Sequence, residues 1–75
     1  MPKLPRINSR RMIGALQRAG YVFRRQTGGH VILRHPDTGR VVAVPEHPGF
    51  MGPDLVPSIL RQAGLKADDL IELLR

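Results

Sequence analysis

Four apolar residues in the first third of the chain recur at helical spacing. They are Met12, Ile13, Leu16 and Ala19. Asn8 or Ser9 can cap the N-terminus of such a helix and Gly20 can end it, so the pattern predicts an amphipathic helix over residues 9–19. The polar side of this helix carries Arg10, Arg11, Gln17 and Arg18. This basic side is either a binding surface for an anion or a face that is merely solvated.

Three short segments rich in β-branched and aromatic residues follow, at residues 21–26, 30–35 and 40–44. Turn signals at residues 27–29 and 36–39, which contain glycine or proline, separate them. The pattern predicts three short strands joined by two tight turns, which is an antiparallel meander.

The C-terminal third of the chain predicts a loop and two helices. Residues 45–53 contain three prolines and two glycines and should form an ordered loop. A second helix should begin between Pro53 and Pro57, because proline is tolerated only in the first turn, and should end at Gly64. A third, short helix starts near Lys66. Its apolar residues, which would fold back onto the domain or meet a partner, are Leu70, Ile71, Leu73 and Leu74.

The order of these elements predicts an α+β fold. The chain should fold as a helix, a three-stranded antiparallel sheet, a second helix and a short C-terminal helical extension, with the helices on one face of the sheet. This arrangement resembles a double-stranded-RNA-binding domain. We expect one domain over residues 1–75, with residues 66–75 as the extension.

The second and third strands carry apolar residues on both faces. Ile32 lies on one face of the second strand and Val31 with Leu33 on the other, while residues 41–44 are all apolar. The helices of the chain can cover only one face. We therefore expect an uncovered apolar face that carries Leu33 and binds a partner.

Length and composition restrict the kind of function. A chain of 75 residues hides only about 60% of the surface that its unfolded form exposes, so a deep pocket is not expected and a polymeric substrate suits the domain better than a metabolite. The absence of cysteine excludes disulfides, thiolate metal sites and a cysteine nucleophile, and it favours a cytoplasmic location. No run of about 18 apolar residues is present, so we expect neither a membrane span nor export.

The positive charge is concentrated in one half of the chain. The net charge is +6, with ten arginines and two lysines. Residues 1–40 hold nine basic and one acidic side chain, whereas residues 41–75 hold three basic and five acidic ones. Because the planar guanidinium group matches phosphate geometry, the first half is predicted to meet a polyanion.

Glycine, arginine and histidine cluster around the first predicted turn. The residues are Arg24, Arg25, Gly28, Gly29, His30, Arg34 and His35. Cleavage of RNA without a metal needs a base of near-neutral pKa, a proton donor and cations for the charge on phosphorus, which histidine and arginine can supply. By composition alone, however, a histidine at the position of His30 is more often a strand residue with no special role than a catalytic one. The three histidines are scattered along the chain, so no metal site is predicted.

Several motifs together resemble the HicA family in order and spacing. They are Gly28-Gly29-His30, His35-Pro36-Asp37, Val41-Val42-Ala43-Val44-Pro45, His47 and Ile59-Leu60-Arg61-Gln62-Ala63-Gly64-Leu65. The resemblance runs from about residue 9 to residue 65. The chain departs from the common pattern at Gly29, where many members have serine, and at residues 52–55, where Gly-Pro-Asp-Leu replaces Gly-Thr-Leu.

The resemblance implies an mRNA interferase, the toxin of a type II toxin–antitoxin system, which cleaves mRNA without a metal or another cofactor. Its catalytic residue would be His30, the histidine of the Gly-x-His motif. A HicB-type antitoxin would cover the active face. The residues that we expect to bind RNA are Arg24, Arg25, Gly28, Gly29, Arg34, His35 and His47.

Two other functions are compatible with the sequence. One is a binding module that holds structured RNA by charge and shape without cutting it. The other is a domain that interacts only with proteins. Incubation of the purified protein with a long RNA in excess chelator separates a metal-independent ribonuclease from both.

Overall fold

The computed structural model describes residues 4–46 and 48–75 and has the predicted α+β architecture. The elements, in chain order, are α1 (Ser9–Arg18), β1 (Val22–Thr27), β2 (His30–Arg34), β3 (Val41–Pro45), α2 (Leu55–Ala63) and α3 (Ala67–Leu73). The strands begin and end within one residue of the predicted segments. None of the described helices is long and apolar enough to cross a membrane.

The side chain of Asn8 caps the N-terminus of α1, where the first backbone N–H groups have no carbonyl partner within the helix. The Oδ1 of Asn8 accepts a hydrogen bond from the backbone N–H of Arg11 at 2.9 Å. The chain leaves the helix at Gly20, whose φ of +103° suits glycine, and a Cβ there would collide with the ring of His35. The side of α1 that faces the core buries Met12, Ala15 and Leu16.

The three strands form one antiparallel sheet in the order β1-β2-β3. Residues directly opposite each other share a face of the sheet. The face under the helices, here called the helix face, buries Val31 and Leu33 of β2 with Val42 and Val44 of β3. The other face, here called the open face, carries Val22, Arg25, Thr27, His30, Ile32, Arg34, Val41, Ala43 and Pro45.

The prediction that Leu33 lies on an uncovered face is wrong. Leu33 is 0% exposed and belongs to the core beneath the helices. The sequence did not distinguish the two faces, because β3 is apolar on both. The open face nevertheless carries exposed apolar side chains, since Val22 and Val41 are each 53% exposed. A partner surface on the sheet must therefore be sought on the open face.

α3 folds back onto the domain, which was one of the two predicted outcomes for its leucines. Leu70 is only 1% exposed, and Leu73 and Leu74 pack against the core while keeping part of their surface exposed. The leucines of the C-terminal extension thus complete the hydrophobic core of the domain.

Two arginines of α1 bind the C-terminal end of α3. Arg18 donates from Nη1 to the carbonyl oxygens of Leu73 at 2.8 Å and Arg75 at 3.0 Å. Arg11 donates from Nη2 to the carbonyl oxygen of Leu74 at 3.3 Å. Cationic groups are favourable here because the last carbonyls of a helix lack partners and carry partial negative charge. The basic side of α1 is therefore partly structural.

The buried hydroxyl of Tyr21 links the start of the sheet to the end of α2. Tyr21 is 3% exposed, and its hydroxyl donates to the carbonyl oxygen of Ala63 at 2.8 Å. Burial raises the pKa of Tyr21 above its ordinary value of 10.0, and the nearby Arg40 guanidinium opposes this effect.

Replacing Tyr21 by phenylalanine should lower the free energy of unfolding by about 1 kcal/mol, because the buried Ala63 carbonyl loses its donor. The raised pKa adds a pH signature. Since the folded state favours the neutral phenol, the contribution of Tyr21 to the free energy of unfolding is fully present below about pH 10 and is lost as the pH rises further. Urea unfolding at neutral and alkaline pH measures both effects. An equally steep alkaline decline in the phenylalanine variant would contradict the assignment to Tyr21.

Candidate nucleic-acid interface and active site

The turn between β1 and β2 is exposed. It consists of Gly28 and Gly29, and the φ of +55° at Gly28 is one that glycine adopts without strain. A Cβ built at either glycine would meet no atom within 4 Å. The backbone of this turn is therefore open to the approach of a polymer.

His30 follows the turn and is exposed on the open face. Its cross-strand partners are Thr27 of β1 and Pro45 of β3. α1 holds this end of β3, because the Oγ of the buried Ser9 donates to the carbonyl oxygen of Pro45 at 2.6 Å. The imidazole therefore projects from a backbone that is paired on both sides, which favours a defined position for a reacting group.

Glu46, the residue after β3, closes the same end of the sheet. Its backbone N–H donates to the carbonyl oxygen of Gly29 at 2.6 Å, and its carboxylate accepts a hydrogen bond from the side chain of Gln26. These bonds tie the glycine turn to the loop after β3. Neither Glu46 nor Thr27 was predicted as a site residue. The alternation of β1 counted back from His30 would have indicated Thr27, but nothing in the sequence indicated Glu46.

Arg24 and Arg25 occupy different positions in the sheet although they are adjacent. Phe23 pairs with Leu33 and Arg25 pairs with Ile32, so Arg24 is an additional residue in β1 and forms a β-bulge. Both arginines are exposed. The register brings Arg25 to the open face together with His30.

Arg34 also lies on the open face, but at the far end of β2. It is four residues from His30, a separation of about 13 Å along the strand. Its cross-strand partners are the exposed Val22 and Val41. This position suits a contact to a neighbouring nucleotide rather than to the phosphate beside His30.

His35 is placed away from His30 and has structural contacts. Its Nδ1 accepts the backbone N–H of Asp37 at 3.2 Å, and its ring meets the ring of Tyr21 edge to face, with centroids 5.2 Å apart. The side chain is half-buried. The structure therefore does not bring His35 to the glycine turn. His47, also predicted to bind RNA, lies outside the described residues.

A shallow groove of about 350 Å³ lies beside the end of the sheet that carries His30. It is lined by Asn8, Ser9, Arg10, Ile13, Glu46, Pro48 and Gly49. Arg10 was predicted on the polar side of the first helix but not as a site residue. The fold adds it to the surroundings of the glycine turn because α1 starts against the end of β3.

The described side chains at this end of the sheet offer proton transfer and phosphate binding. In residues 4–46 and 48–75, no three histidine or carboxylate side chains are grouped closely enough to hold a metal ion. The groups present are imidazole, guanidinium, hydroxyl and the carboxylate of Glu46, together with the backbone of the glycine turn. Imidazole can accept or donate a proton near neutral pH, and guanidinium binds phosphate oxygens through two parallel hydrogen bonds.

The model of the HicA toxin family of bacterial toxin–antitoxin systems matches residues 9–65, from the start of α1 to just beyond α2. No curated protein sequence matches the chain. The matched region contains the glycine turn, all three strands and, apart from Asn8, the residues that line the groove.

Proposed function

The chain belongs to the HicA toxin family of bacterial toxin–antitoxin systems, and from this premise we propose that it is an mRNA interferase, a metal-independent endoribonuclease whose catalytic residue is His30. The observation that carries the proposal is the placement of His30. It is exposed, directly follows an open glycine turn and shares its face of the sheet with arginine. We also propose that residues 1–75 form one domain of this family and that it acts in the cytoplasm.

The proposed reaction is an internal transesterification of RNA. The neutral imidazole of His30 accepts the proton of a 2′-hydroxyl, the O2′–P bond forms, and the P–O5′ bond breaks with its electron pair on O5′. The leaving oxygen takes a proton from water, and the imidazolium later returns its proton to solvent. The products are a 2′,3′-cyclic phosphate and a 5′-hydroxyl, so neither an oxidant nor a metal is required.

The direct test is incubation of the purified protein with a long RNA in excess chelator. We expect cleavage that persists in chelator and leaves cyclic phosphate ends, which can be identified by their resistance to direct 3′-ligation. RNA that stays intact would contradict the ribonuclease proposal. Cleavage that chelator abolishes would contradict its metal independence.

RNA binding should weaken as salt rises, because arginine contacts release counterions from phosphates. Replacing Arg24 by glutamine should lower affinity and reduce the slope of log affinity against log salt by about 0.7, the value for one contact to single-stranded nucleic acid. Fluorescence anisotropy with the His30→Ala variant measures binding without cleavage. Arg61→Gln is the matched control, since Arg61 is an exposed arginine of α2, outside the sheet. Equal slopes for the Arg24 and Arg61 variants would exclude a phosphate contact at Arg24.

The proposed protein partner is a HicB-type antitoxin that covers the open face. Val22 and Val41 are half-exposed there and flank Arg34 in the register of the sheet. An acidic surface with apolar residues at its centre would complement this combination. Covering the open face would also cover His30, which would explain neutralisation by simple occlusion.

A non-catalytic RNA-binding module is the second candidate function. One observation favours it: on the open face, among the described residues, His30 has no second histidine or carboxylate beside it to act as a proton donor. Intact RNA that is nevertheless bound in a salt-dependent manner would select this candidate.

A further inference from the structure

The register of β1 with β2 shows which of two adjacent arginines faces the same side as His30. Counting back from the turn, Thr27 pairs with His30 and Arg25 pairs with Ile32, so Thr27 and Arg25 lie on the open face. Beyond Arg25 the register shifts by the one residue of the bulge. The extra residue is Arg24, which therefore has no partner opposite it in β2.

The pairing places Arg25 diagonally across from His30 on one face. Diagonal neighbours of an antiparallel pair have Cβ atoms about 7 Å apart, a distance that the long arginine side chain spans. We propose that Arg25 is a second catalytic residue, whose guanidinium binds the non-bridging oxygens of the scissile phosphate as negative charge develops on them. This inference rests on the ribonuclease activity proposed above.

The guanidinium of Arg25 is available for this role. Arg11, Arg18 and Arg40 donate to the C-terminal carbonyl oxygens of helices, and Arg75 pairs with Glu72. Among the residues that the structure describes, no hydrogen-bond acceptor or carboxylate engages Arg25, and its side chain is exposed. An arginine left without a structural partner, beside an exposed histidine, suits a transient anion.

The other arginines near the turn are less well placed. Arg24 is the inserted residue of the bulge and has no partner in the register, whereas Arg34 lies about 13 Å from His30 along β2. Arg10 lines the groove on the side of α1. Arg25 is therefore the arginine that shares both the face and the end of the sheet with His30.

The reaction needs such a cation because charge accumulates at phosphorus. When O2′ attacks, the electron pair of the P–O5′ bond has not yet fully moved to the leaving oxygen, so the non-bridging oxygens carry additional negative charge. A guanidinium that binds these oxygens more strongly in the transition state than in the ground state raises the rate constant rather than the affinity. The loss of one such donor typically costs about 10²- to 10³-fold in rate.

The experiment compares Arg25→Ala with Arg24→Ala, two neighbouring exposed arginines that differ in register. Single-turnover cleavage with protein in excess over a short RNA gives the maximal rate constant and the half-saturating protein concentration separately. We expect Arg25→Ala to lower the maximal rate constant by about 10²-fold or more, and Arg24→Ala to raise the half-saturating concentration several-fold with little change in the maximal rate constant. Circular dichroism and urea midpoints confirm that both variants fold.

Two further measurements distinguish a reacting group from a structural one. Millimolar guanidinium ion should restore part of the rate of Arg25→Ala and none of any loss in Arg24→Ala. Arg25→Lys should keep an intermediate rate, because the charge remains but the two-point contact is lost. Equal effects of the two alanine substitutions on the maximal rate constant would overturn the inference, as would the absence of guanidinium rescue.

The outcomes also separate this inference from the activity on which it rests. A wild-type protein that does not cleave RNA overturns the proposed ribonuclease function and the role of Arg25 with it. A wild type that cleaves, a His30→Ala variant that does not, and an Arg25→Ala variant with an unchanged maximal rate constant overturn the role of Arg25 alone.

Discussion

Replacing His30 by alanine should lower the rate of RNA cleavage by about 10²- to 10⁴-fold, which is the usual contribution of a proton-transfer group. Toxicity on expression should nearly vanish for the same reason. Because His30 is an exposed strand residue next to a glycine turn, the substitution should cost only about 1 kcal/mol of stability. The variant should therefore stay folded and still bind RNA, which separates loss of chemistry from loss of structure.

His35→Gln is the matched control for this experiment. Its ring contacts Tyr21 and its Nδ1 accepts a backbone hydrogen bond within the turn after β2, so we expect a loss of about 1 kcal/mol in stability and an unchanged cleavage rate at a temperature where the variant is folded. Cleavage by His30→Ala at the wild-type rate would refute the assignment. The role would then pass to His35 or His47, or the chain would be a binding module that shares only the fold of the toxins.

Replacing Leu33 by aspartate should unfold the domain. Leu33 is 0% exposed on the helix face, and burying an unpaired carboxylate there costs several kcal/mol in addition to the lost apolar contacts. A chain of 75 residues has a free energy of unfolding of only about 4 to 11 kcal/mol. We expect the loss of the cooperative thermal transition and of most helical circular dichroism at room temperature.

Val41→Asp provides the contrast on the opposite face of the sheet. Val41 is 53% exposed on the open face and pairs with Arg34, so a carboxylate there stays hydrated and lies beside a cation. The variant should fold with a urea midpoint close to that of the wild type. It should bind a HicB-type partner more weakly if that partner covers the open face. A folded Leu33→Asp variant together with an unfolded Val41→Asp variant would show that the two faces of the sheet have been exchanged.

The positions of the helices and strands could be predicted from local signals. Asn8 caps α1 through a hydrogen bond that depends on residues three apart, and Gly64 ends α2 with a φ of +71°. The glycine turn before His30 likewise depends on neighbours in the sequence. Such signals can be recognised without any knowledge of the tertiary structure, because both partners of each interaction are only a few residues apart in the sequence.

The composition of the candidate site could be predicted only in part. The sequence identified residues that are close to His30 along the chain, but it did not show which of them are close to His30 in space. Arg25 lies on the same face, Arg24 occupies a bulge, and His35 packs against Tyr21 at the other end of the strand. Alternation counted back from His30 is regular as far as Arg25, but the bulge adds Arg24 beyond it, and no residue type in β1 marks where a bulge occurs.

The sequence by itself determined the order of the elements, the concentration of positive charge in residues 1–40 and the exposed glycine turn that carries His30. Only the tertiary structure decided which face of the sheet the helices cover, and thereby that Leu33 is core while Val41 is surface. Alternation along a strand defines two faces, but when both are apolar the choice between them depends on how α1 and α2 pack across the sheet, which involves residues far apart in the chain.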